Sequence, residues 1–500
     1  MPIPRYPSLL QINTRVRLAE LSTTLGRPAT LDDVTDTELD RLAHDGFDLV
    51  WLLGVWQTGE AGRRVSATNP AWLAEYRQTL PDFRDSDITG SCFAVRDYRV
   101  HIDFGGDEAL ARMHTRLRER GLRLLLDFIP NHLAPDHPWV EEHPDFFIAG
   151  TEEQLRREPQ NYRRLATASG SRILAYGRDP YFAGWPDTLQ LDHGNPALQD
   201  ALLGELQKIA RQCDGVRCDM AMLVLPEIFA STWGIVPASF WPRAMAAVHA
   251  EIPGFLFLAE VYWDLEWTLL QQGFDYCYDK RLYDRLVAGA AGSVREHLRA
   301  DLDFQDRLTR FLENHDEQRA AATFAPDAHR AAALVSYLSP GLRFFHQGQR
   351  EGKRIRIPTH LGRGPAEAPD APLAAFYDSL FACLREPAFR DGQWQLLETR
   401  PAWLGNTTND AFIACSWTGP YARRHLLAVN YANHRSQCYL KLTWKDLTGR
   451  IWRLADRLAE ISYQADGDAL STQGLYLDMP AWGYHLFEVG QARDGAADRP

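Results

Sequence analysis

Short runs of apolar residues alternate with longer stretches of helical periodicity along most of the chain. In residues 108–120 and 198–212, Leu and Ala recur at helical spacing among charged residues, which indicates amphipathic helices. This alternation is typical of parallel βα units. Eight runs have the length of a strand, and eight such units predict a closed (β/α)8 TIM barrel of the α/β class. The predicted strands are 9–13, 48–56, 122–129, 215–220, 255–260, 274–278, 311–316 and 342–348.

The alternation is interrupted at two places. Residues 133–192 are rich in Pro, Asp, Trp and Tyr and are too long for a simple βα loop, so we predict an inserted subdomain after the third strand. Beyond residue 394, short β-type runs are separated by turns, which predicts a C-terminal antiparallel β domain, a sandwich, over residues 395–490. The barrel then comprises residues 1–132 and 193–394.

Composition and charge narrow the classes of partner. The chain of 500 residues has a formal net charge of -12, which argues against a nucleic-acid partner because nothing would neutralise phosphates. No apolar run approaches the roughly 18 residues of a membrane span, and Met1–Arg5 shows no apolar stretch of a signal peptide. The seven scattered cysteines form no C-x-x-C pair, which favours reduced thiols. We therefore expect a cytoplasmic protein without a membrane partner; the pattern does not predict its oligomeric state.

Charged and polar residues cluster where four of the predicted strands end. Buried charge is costly unless it is paired, and the carboxyl ends of barrel strands form the face where barrel enzymes place their chemistry. The clusters therefore predict an active site. They are Asp127, Asn131 and His132 at the third strand, Arg217 and Asp219 at the fourth, Glu260 at the fifth, and Asn314, His315 and Asp316 at the seventh.

The types of residue favour glycoside chemistry over metal chemistry. A retaining glycosidase needs an ionised carboxylate and a protonated carboxyl about 5–5.5 Å apart. Strands four and five are neighbours in a barrel, so Asp219 and Glu260 can stand at that distance. Arg217 lies two residues before Asp219, on the same side of the strand, where its charge would keep Asp219 ionised. The strand ends offer no His-x-His or His-Glu-x-x-His spacing, which disfavours a metal-dependent hydrolase.

In this order, the segments resemble the four signature regions of the α-amylase family of glycoside hydrolases. They read Asp127-x-x-x-Asn131-His132, Gly215-x-Arg217-x-Asp219, Glu260 and Asn314-His315-Asp316. With the inserted subdomain and the β domain, the resemblance covers nearly the whole chain. It implies that Asp219 is the nucleophile, that Glu260 is the acid/base, and that Asp316 holds substrate hydroxyls and favours ring distortion.

The resemblance also implies a set of substrate-binding residues. Arg217 would orient Asp219, while His132 and His315 would bind hydroxyls of the sugar being cleaved. Asp127 and Tyr98 would lie around that subsite, and Phe93 would stack on a sugar. Arg319 follows Asp316 by three residues, where the family often has an arginine.

Two positions depart from the family pattern. Ala94 stands where many exo-acting members have a hydroxyl-binding aspartate, and Met222-Leu223 stand where many amylases have Lys-His. Both departures remove polar contacts to a long glucan. We therefore expect an α-glucoside substrate that is a short oligosaccharide or a glucoside of a small aglycone.

Alternatives remain at this point. A transferase or phosphorylase of the same family would use the same residues with an acceptor other than water. A non-catalytic binding subunit is the remote alternative. No cofactor is expected; the family asparagine at the position of Asn131 often binds calcium, but Met222-Leu223 and the lack of an acidic cluster favour activity that survives chelation.

Overall fold

The computed structural model describes residues 3–168 and 170–492. Residues 1–2, which begin the N-terminal stretch assessed above, lie outside the described residues, as do Ser169 and residues 493–500.

Eight parallel strands form a closed barrel. They are β1 (Ser8–Asn13), β2 (Leu49–Leu53), β3 (Arg123–Phe128), β4 (Gly215–Cys218), β5 (Leu256–Ala259), β6 (Tyr276–Tyr278), β7 (Leu308–Arg310) and β8 (Leu342–His346). Each strand pairs with the one before it in the chain, and β8 pairs with β1 to close the cylinder. The (β/α)8 barrel predicted from the sequence is confirmed.

The seventh strand is the one that the sequence pattern misplaced. The predicted run, 311–316, follows β7 and is not a strand. The pattern favoured Phe311-Leu312 because β7 itself contains a fully buried arginine, Arg310. Its guanidinium contacts the Asp279 carboxylate and donates a hydrogen bond of 2.8 Å to the Pro340 carbonyl oxygen. These contacts satisfy the buried charge, so a strand that reads as polar lies in the barrel wall.

Helices surround the barrel. They are Thr14–Leu25 and Asp36–Asp45 after β1, Gly106–Glu119 before β3, Pro196–Ala210 before β4, Pro226–Trp233 and Trp241–Glu251 after β4, Glu266–Gln272 after β5, Lys280–Val287, Ala291–His297 and Leu302–Gln305 after β6, Ala320–Thr323 and Pro326–Tyr337 after β7, and Ala371–Leu384 and Pro387–Asp391 after β8.

Two connections extend beyond simple βα loops. Between β2 and β3 the chain forms two helices, Glu60–Thr68 and Pro70–Thr79, and a small sheet of Trp56–Thr58 with Val95–Val100. Between β3 and β4 it forms the helices Trp139–Glu142 and Glu152–Arg157 and two antiparallel strand pairs, His132–Leu133 with Leu189–Gln190 and Tyr162–Thr167 with Gly170–Ala175. The second connection contains the segment predicted as an insertion.

Antiparallel strands follow the barrel. They are β9 (Gln393–Leu396), β10 (Thr399–Pro401), β11 (Phe412–Thr418), β12 (Arg424–Asn430), β13 (Ser436–Leu440), β14 (Ile451–Asp456), β15 (Ser462–Asp466), β16 (Leu475–Met479) and β17 (Tyr484–Gln491), with one helix, Gly467–Thr472. Six strands form one sheet in the order β9-β11-β12-β17-β14-β15, and three form another in the order β10-β13-β16. Buried side chains of both sheets share one apolar cluster, to which Phe412, Leu426, Leu440 and Leu477 belong. The predicted C-terminal antiparallel β structure is confirmed, whereas the domain limits 1–132, 133–192, 193–394 and 395–490 remain predictions.

The structure also bears on the predictions for the cysteines and for a membrane span. All seven cysteines are buried free thiols. Within residues 3–168 and 170–492, no helix combines the length and apolar character that crossing a membrane requires.

Candidate active site

One arginine joins the two carboxylates that the sequence singled out. Arg217 in β4 is fully buried, and its Nη1 donates a hydrogen bond of 2.6 Å to Asp219 Oδ1. Its Nη2 lies 2.8 Å from Glu260 Oε2. Because one guanidinium contacts both carboxylates, Asp219 and Glu260 are close neighbours at the carboxyl ends of β4 and β5.

The backbone after β4 places these carboxylates. The amide of Asp219 donates to the Phe128 carbonyl oxygen at 2.8 Å, which continues the β3–β4 pairing. Met220 then adopts a left-handed conformation with φ of 42° and donates its amide to Glu260 Oε2 at 2.7 Å. The turn therefore orients both side chains toward the same cleft. A non-glycine residue in this conformation is uncommon and is often found at functional sites.

Burial and charge set the protonation states of the pair. Burial raises the pKa of Glu260 to about 7, and the negative charges of Asp219 and Asp316 add to this, while Arg217 opposes it. Burial also raises the pKa of Asp219, and the charge and hydrogen bond of Arg217 oppose that rise. Glu260 can therefore hold a proton near neutral pH beside an Asp219 carboxylate that Arg217 stabilises.

Asp316 and His315 follow β7; Asp316 lines the same cleft, whereas His315 is buried and is not among the lining residues. His315 Nε2 lies 3.0 Å from Asp316 Oδ2, and His315 Nδ1 lies 2.9 Å from the side-chain amide nitrogen of Gln11. Since that amide nitrogen can only donate, Nδ1 accepts and the ring proton belongs on Nε2, toward Asp316. Packing raises the pKa of Asp316, but His315 and Arg217 outweigh this and lower it to about 2. Protein groups surround the carboxylate, yet its side chain is 45% exposed because it lines an open cleft.

His132 and Phe93 complete the cluster around the pair. His132 is buried, its Nε2 lies 4.0 Å from Asp219 Oδ2, and burial lowers its pKa to about 4, so the ring is neutral near pH 7. The Phe93 ring centroid lies 5.2 Å from the Arg217 guanidinium carbon. Both side chains line the cleft, so the structure brings them together with Asp219.

Asp127 and Tyr98 lie behind the cleft wall. The Asp127 carboxylate accepts hydrogen bonds from the Trp51 indole at 3.1 Å and the Gly54 amide at 2.8 Å, and burial raises its pKa to about 6. The Tyr98 hydroxyl bonds both the amide and the carbonyl of Ile129 at 3.0 Å. Neither side chain is among those that line the cleft, so each supports the strand ends rather than facing a substrate.

Arg319 is also held away from the cleft. Its Nη2 lies 2.7 Å from Glu313 Oε1 and donates to the Gln347 carbonyl oxygen at 2.9 Å. The two side chains after the nucleophile position, Met222 and Leu223, are buried in the core and do not line the cleft. Both residues belong to a short helix, Ala221–Val224, in which their side chains are buried.

The cleft at these strand ends has a volume of about 310 Å³. Sequence reasoning missed several of its contacts because they carry no motif and come from distant connections. Tyr262 donates its hydroxyl to Glu260 Oε1 at 2.9 Å, and Trp185 packs on His132 with ring centroids 5.1 Å apart. The lining residues are Trp72, Ser91, Phe93, His132, Trp185, Asp187, Thr188, Asp219, Met220, Glu260, Tyr262, Asp316, Thr359 and His360.

The surroundings of Asn131 do not fit a calcium ion. The Gln190 side-chain nitrogen donates to Asn131 Oδ1 and to the Asn131 carbonyl oxygen at 3.0 Å each, and to the Leu191 carbonyl oxygen at 3.1 Å. Three oxygen atoms of the kind that bind calcium thus accept hydrogen bonds from one amide nitrogen, which occupies the place a cation would need. Within the described residues, no group of three or more His, Cys, Asp or Glu side chains could hold a metal ion.

Comparison with known proteins places this site in context. The family model described as "Alpha amylase, catalytic domain" matches residues 36–246. The α-amylase MalA of Haloarcula japonica is 25% identical over 338 residues, 65% of this chain and 42% of that protein. An α-1,4-glucan:maltose-1-phosphate maltosyltransferase of Burkholderia pseudomallei is 26% identical over 287 residues, 55% of this chain and 22% of that protein. The matches thus span less than half the length of these relatives.

A solved structure matches almost the whole chain. The noncanonic maltogenic α-amylase AmyB of Thermotoga neapolitana superposes with a TM-score of 0.69 over 98% of this chain and 99% of that chain, at 16% identity. At this level of identity the likeness shows the fold.

Proposed function

We propose that this chain, whose residues 36–246 match the α-amylase catalytic-domain model, is a retaining glycosidase that acts on α-glucosidic bonds of short oligosaccharides or small glucosides. The observation that carries the proposal is the contact of one buried arginine, Arg217, with both Asp219 and Glu260. This contact holds two carboxyl groups close together, and a close pair of which one is ionised and one protonated is what double displacement requires.

In the first step, Glu260 donates its proton to the glycosidic oxygen while Asp219 attacks the anomeric carbon. The bond from that carbon to the leaving oxygen breaks, and a glycosyl ester of Asp219 forms. Asp219 Oδ1 is engaged by Arg217, so Oδ2 is the attacking oxygen. Glu260 Oε2 already accepts from Met220 and contacts Arg217, so the proton belongs on Oε1, beside the Tyr262 hydroxyl.

In the second step, the Glu260 carboxylate takes a proton from water or from an acceptor sugar. The resulting oxygen nucleophile attacks the anomeric carbon, and Asp219 leaves as a carboxylate. Asp316 and His132, which line the cleft, hold sugar hydroxyls through both steps, and His315 positions Asp316. The second attack restores the original configuration at the anomeric carbon.

The stereochemical outcome tests the proposal. Proton NMR of a digest of 4-nitrophenyl α-glucoside should show the α-anomer of the released glucose first, followed by slow mutarotation. First appearance of the β-anomer would reject a retaining mechanism.

A glucosyl transferase is the second candidate within the same chemistry. Its support is the maltosyltransferase among the relatives and the aromatic residue Tyr262 beside Glu260 in the cleft wall, which suits the face of an acceptor sugar. Chromatography of products at high maltose concentration separates the two: hydrolysis gives glucose alone, whereas transfer adds longer or rearranged saccharides.

A further inference from the structure

Asp187 is a buried carboxylate on the wall of the cleft that the proposed mechanism does not use. The residue is 3% exposed and lies in the long connection between β3 and β4. Its Oδ2 accepts no hydrogen bond from any group within the described residues. An unpartnered buried carboxylate oxygen is costly, since it has lost its hydration without gaining a donor. Such an atom beside a cleft is suited to accept a hydrogen bond from a ligand.

His360 faces this carboxylate from another connection, the one that follows β8. Its Nε2 lies 3.6 Å from Asp187 Oδ2, which is too long for a hydrogen bond. Both residues line the same cleft as Asp219 and Glu260. The pair thus offers a negatively charged acceptor and an imidazole nitrogen that do not satisfy each other.

The position of His360 is fixed by its surroundings. Its ring stacks on Trp72 with centroids 4.2 Å apart and an angle of 29° between the planes. Its carbonyl oxygen accepts from the amides of Thr89 at 2.9 Å and Gly90 at 3.2 Å. The next residue, Leu361, is fully buried in an apolar cluster. The imidazole is therefore held in place before any ligand arrives, which lowers the entropic cost of binding.

Asp187 also lies next to the residues that surround the reacting sugar. The side chain of its neighbour Thr188 and that of His132 would each lie 2.7 Å from a Cβ atom built on Gly177, so the two are adjacent. His132 in turn approaches Asp219. Ala94 borders the same part of the wall, because it and the Asp187 carbonyl both lie within 4 Å of a Cβ built on Gly62. Since Ala94 is apolar, Asp187 supplies the carboxylate there.

We propose that Asp187 and His360 form a hydroxyl-binding pair that recognises the glycone, the sugar whose anomeric carbon reacts. A sugar hydroxyl both donates and accepts, so one hydroxyl donates to Asp187 and exchanges a second hydrogen bond with His360. The inference rests on the proposed glycosidase function and names the specificity residues of that site. Asp187 and His360 take no part in bond cleavage.

Monodeoxy substrates test the pair directly. The probes are 4-nitrophenyl α-glucoside and its 2-, 3-, 4- and 6-deoxy analogues, and kcat/KM is measured for the wild type, Asp187→Ala and His360→Ala. In the wild type, loss of the hydroxyl bound by the pair should reduce kcat/KM by on the order of ten- to hundredfold. For Asp187→Ala, kcat/KM on the parent glucoside should fall by a similar factor. Removal of that same hydroxyl from the substrate should then reduce kcat/KM little further, because the contact is already absent.

The control is Asp192→Ala, a carboxylate in the same connection that bonds the Gly194 amide and does not line the cleft. It should keep the wild-type response to every deoxy analogue. The pair is rejected if Asp187→Ala reduces kcat/KM by the same factor for the parent glucoside and for all four deoxy analogues. If the wild type turns over the parent glucoside in that case, the glycosidase proposal stands. Failure of the wild type to cleave the parent glucoside would overturn both.

Discussion

At the scale of single residues, Arg217 governs the chemistry of the cleft. Its guanidinium has no contact with solvent and lies 5.2 Å from the ring centroids of both Trp51 and Phe93. Its two terminal nitrogens approach different carboxylates, so the same positive charge opposes the rise in pKa of Asp219 and of Glu260. In the proposed mechanism, the different hydrogen bonds of the two carboxylates make Asp219 the nucleophile and Glu260 the acid/base.

The nucleophile is the first residue to test. Asp219→Asn removes the attacking charge, and we expect kcat/KM on 4-nitrophenyl α-glucoside to fall on the order of 10⁴-fold or more. Arg217 keeps its contact with Glu260, so the melting temperature should stay within a few degrees of the wild type, as measured by calorimetry. Activity within a few-fold of the wild type would remove Asp219 from the mechanism.

The acid/base residue should control the alkaline side of the pH profile. Glu260 must be protonated to act as an acid, and its pKa is raised to about 7, so kcat/KM should fall as the pH rises through about 7. Asp219 must be ionised, and its pKa is raised, so the acidic fall should lie above the ordinary aspartate value of about 3.9. Because the two carboxyl groups interact, both limbs of the pH profile report apparent pKa values that belong to the pair and not to either residue alone.

Glu260→Gln should abolish the alkaline limb. On a glucosyl fluoride, whose leaving group needs little protonation, this variant should lose much less rate than on maltose. Equal losses on both substrates, or an unchanged alkaline limb, would show that Glu260 has another role.

The sequence predicted the residues that line the cleft better than it predicted which side chains point away from the cleft. Asp219 and Glu260 directly follow β4 and β5, so their strand positions settle their placement. His132 and Asp316 lie four and six residues after the ends of β3 and β7 and still reach the cleft. Arg319 lies further along, where the contact with Glu313 decides its direction. Gln11 was not predicted, since it lies in β1, which carries no motif, and it meets His315 only through closure of the barrel.

At the scale of elements, the predicted runs overlap seven of the eight barrel strands, and β7 is the exception. β7 was misplaced because its buried Arg310 pairs with Asp279, which follows the neighbouring strand β6, and a pattern within β7 alone does not reveal this contact. The edge strand β15 gives no apolar alternation, because most of its residues are exposed. An apolar pattern therefore indicates a strand only where the buried side chains are themselves apolar.

The connection between β3 and β4 gives a prediction at this scale. Gln190 donates to three oxygens of Asn131 and Leu191, so we propose that its amide takes the place of a metal ion. The melting temperature of the wild type should not change on addition of a chelator or of calcium. Gln190→Glu should lower it by placing negative charge among acceptor oxygens, and calcium should restore it because carboxylate and carbonyl oxygens are calcium ligands.

Gln190→Met is the matched control. It loses the same hydrogen bonds but provides no ligand, so calcium should not raise its melting temperature. A wild-type protein that loses stability with a chelator and regains it with calcium would contradict the proposal.

At the scale of the whole molecule, two distant connections close one side of the cleft. Arg363, in the connection after β8, donates to both carboxylate oxygens of Asp87 at 2.7 and 2.8 Å. The adjoining Leu361 pairs with Ile88 in an isolated β-bridge. These two contacts, Arg363 with Asp87 and Leu361 with Ile88, form a clamp that holds His360 and Trp72 at the cleft wall. A cleft of about 310 Å³ is small for a ligand site, near the lower end of the usual range of about 300–1,000 Å³.

Substrate length follows from this closure. We expect a higher kcat/KM on maltose or 4-nitrophenyl α-glucoside than on soluble starch, compared per mole of bonds cleaved, because the clamped wall leaves little room for a long chain. Reducing-sugar assays on a series from maltose to maltoheptaose and starch measure this. A kcat/KM that rises steadily with chain length and is greatest on starch would contradict the prediction.

The central claim is a covalent intermediate on Asp219, and trapping it is the most direct test. A 5-fluoro-α-glucosyl fluoride slows both steps but keeps a good leaving group, so the glycosyl-enzyme should accumulate. Peptide mass spectrometry after proteolysis should find the added fluorosugar on Asp219, and no label should appear on the Asp219→Asn variant. Label on another residue, or complete turnover of maltose by a protein that never acquires label, would contradict the account.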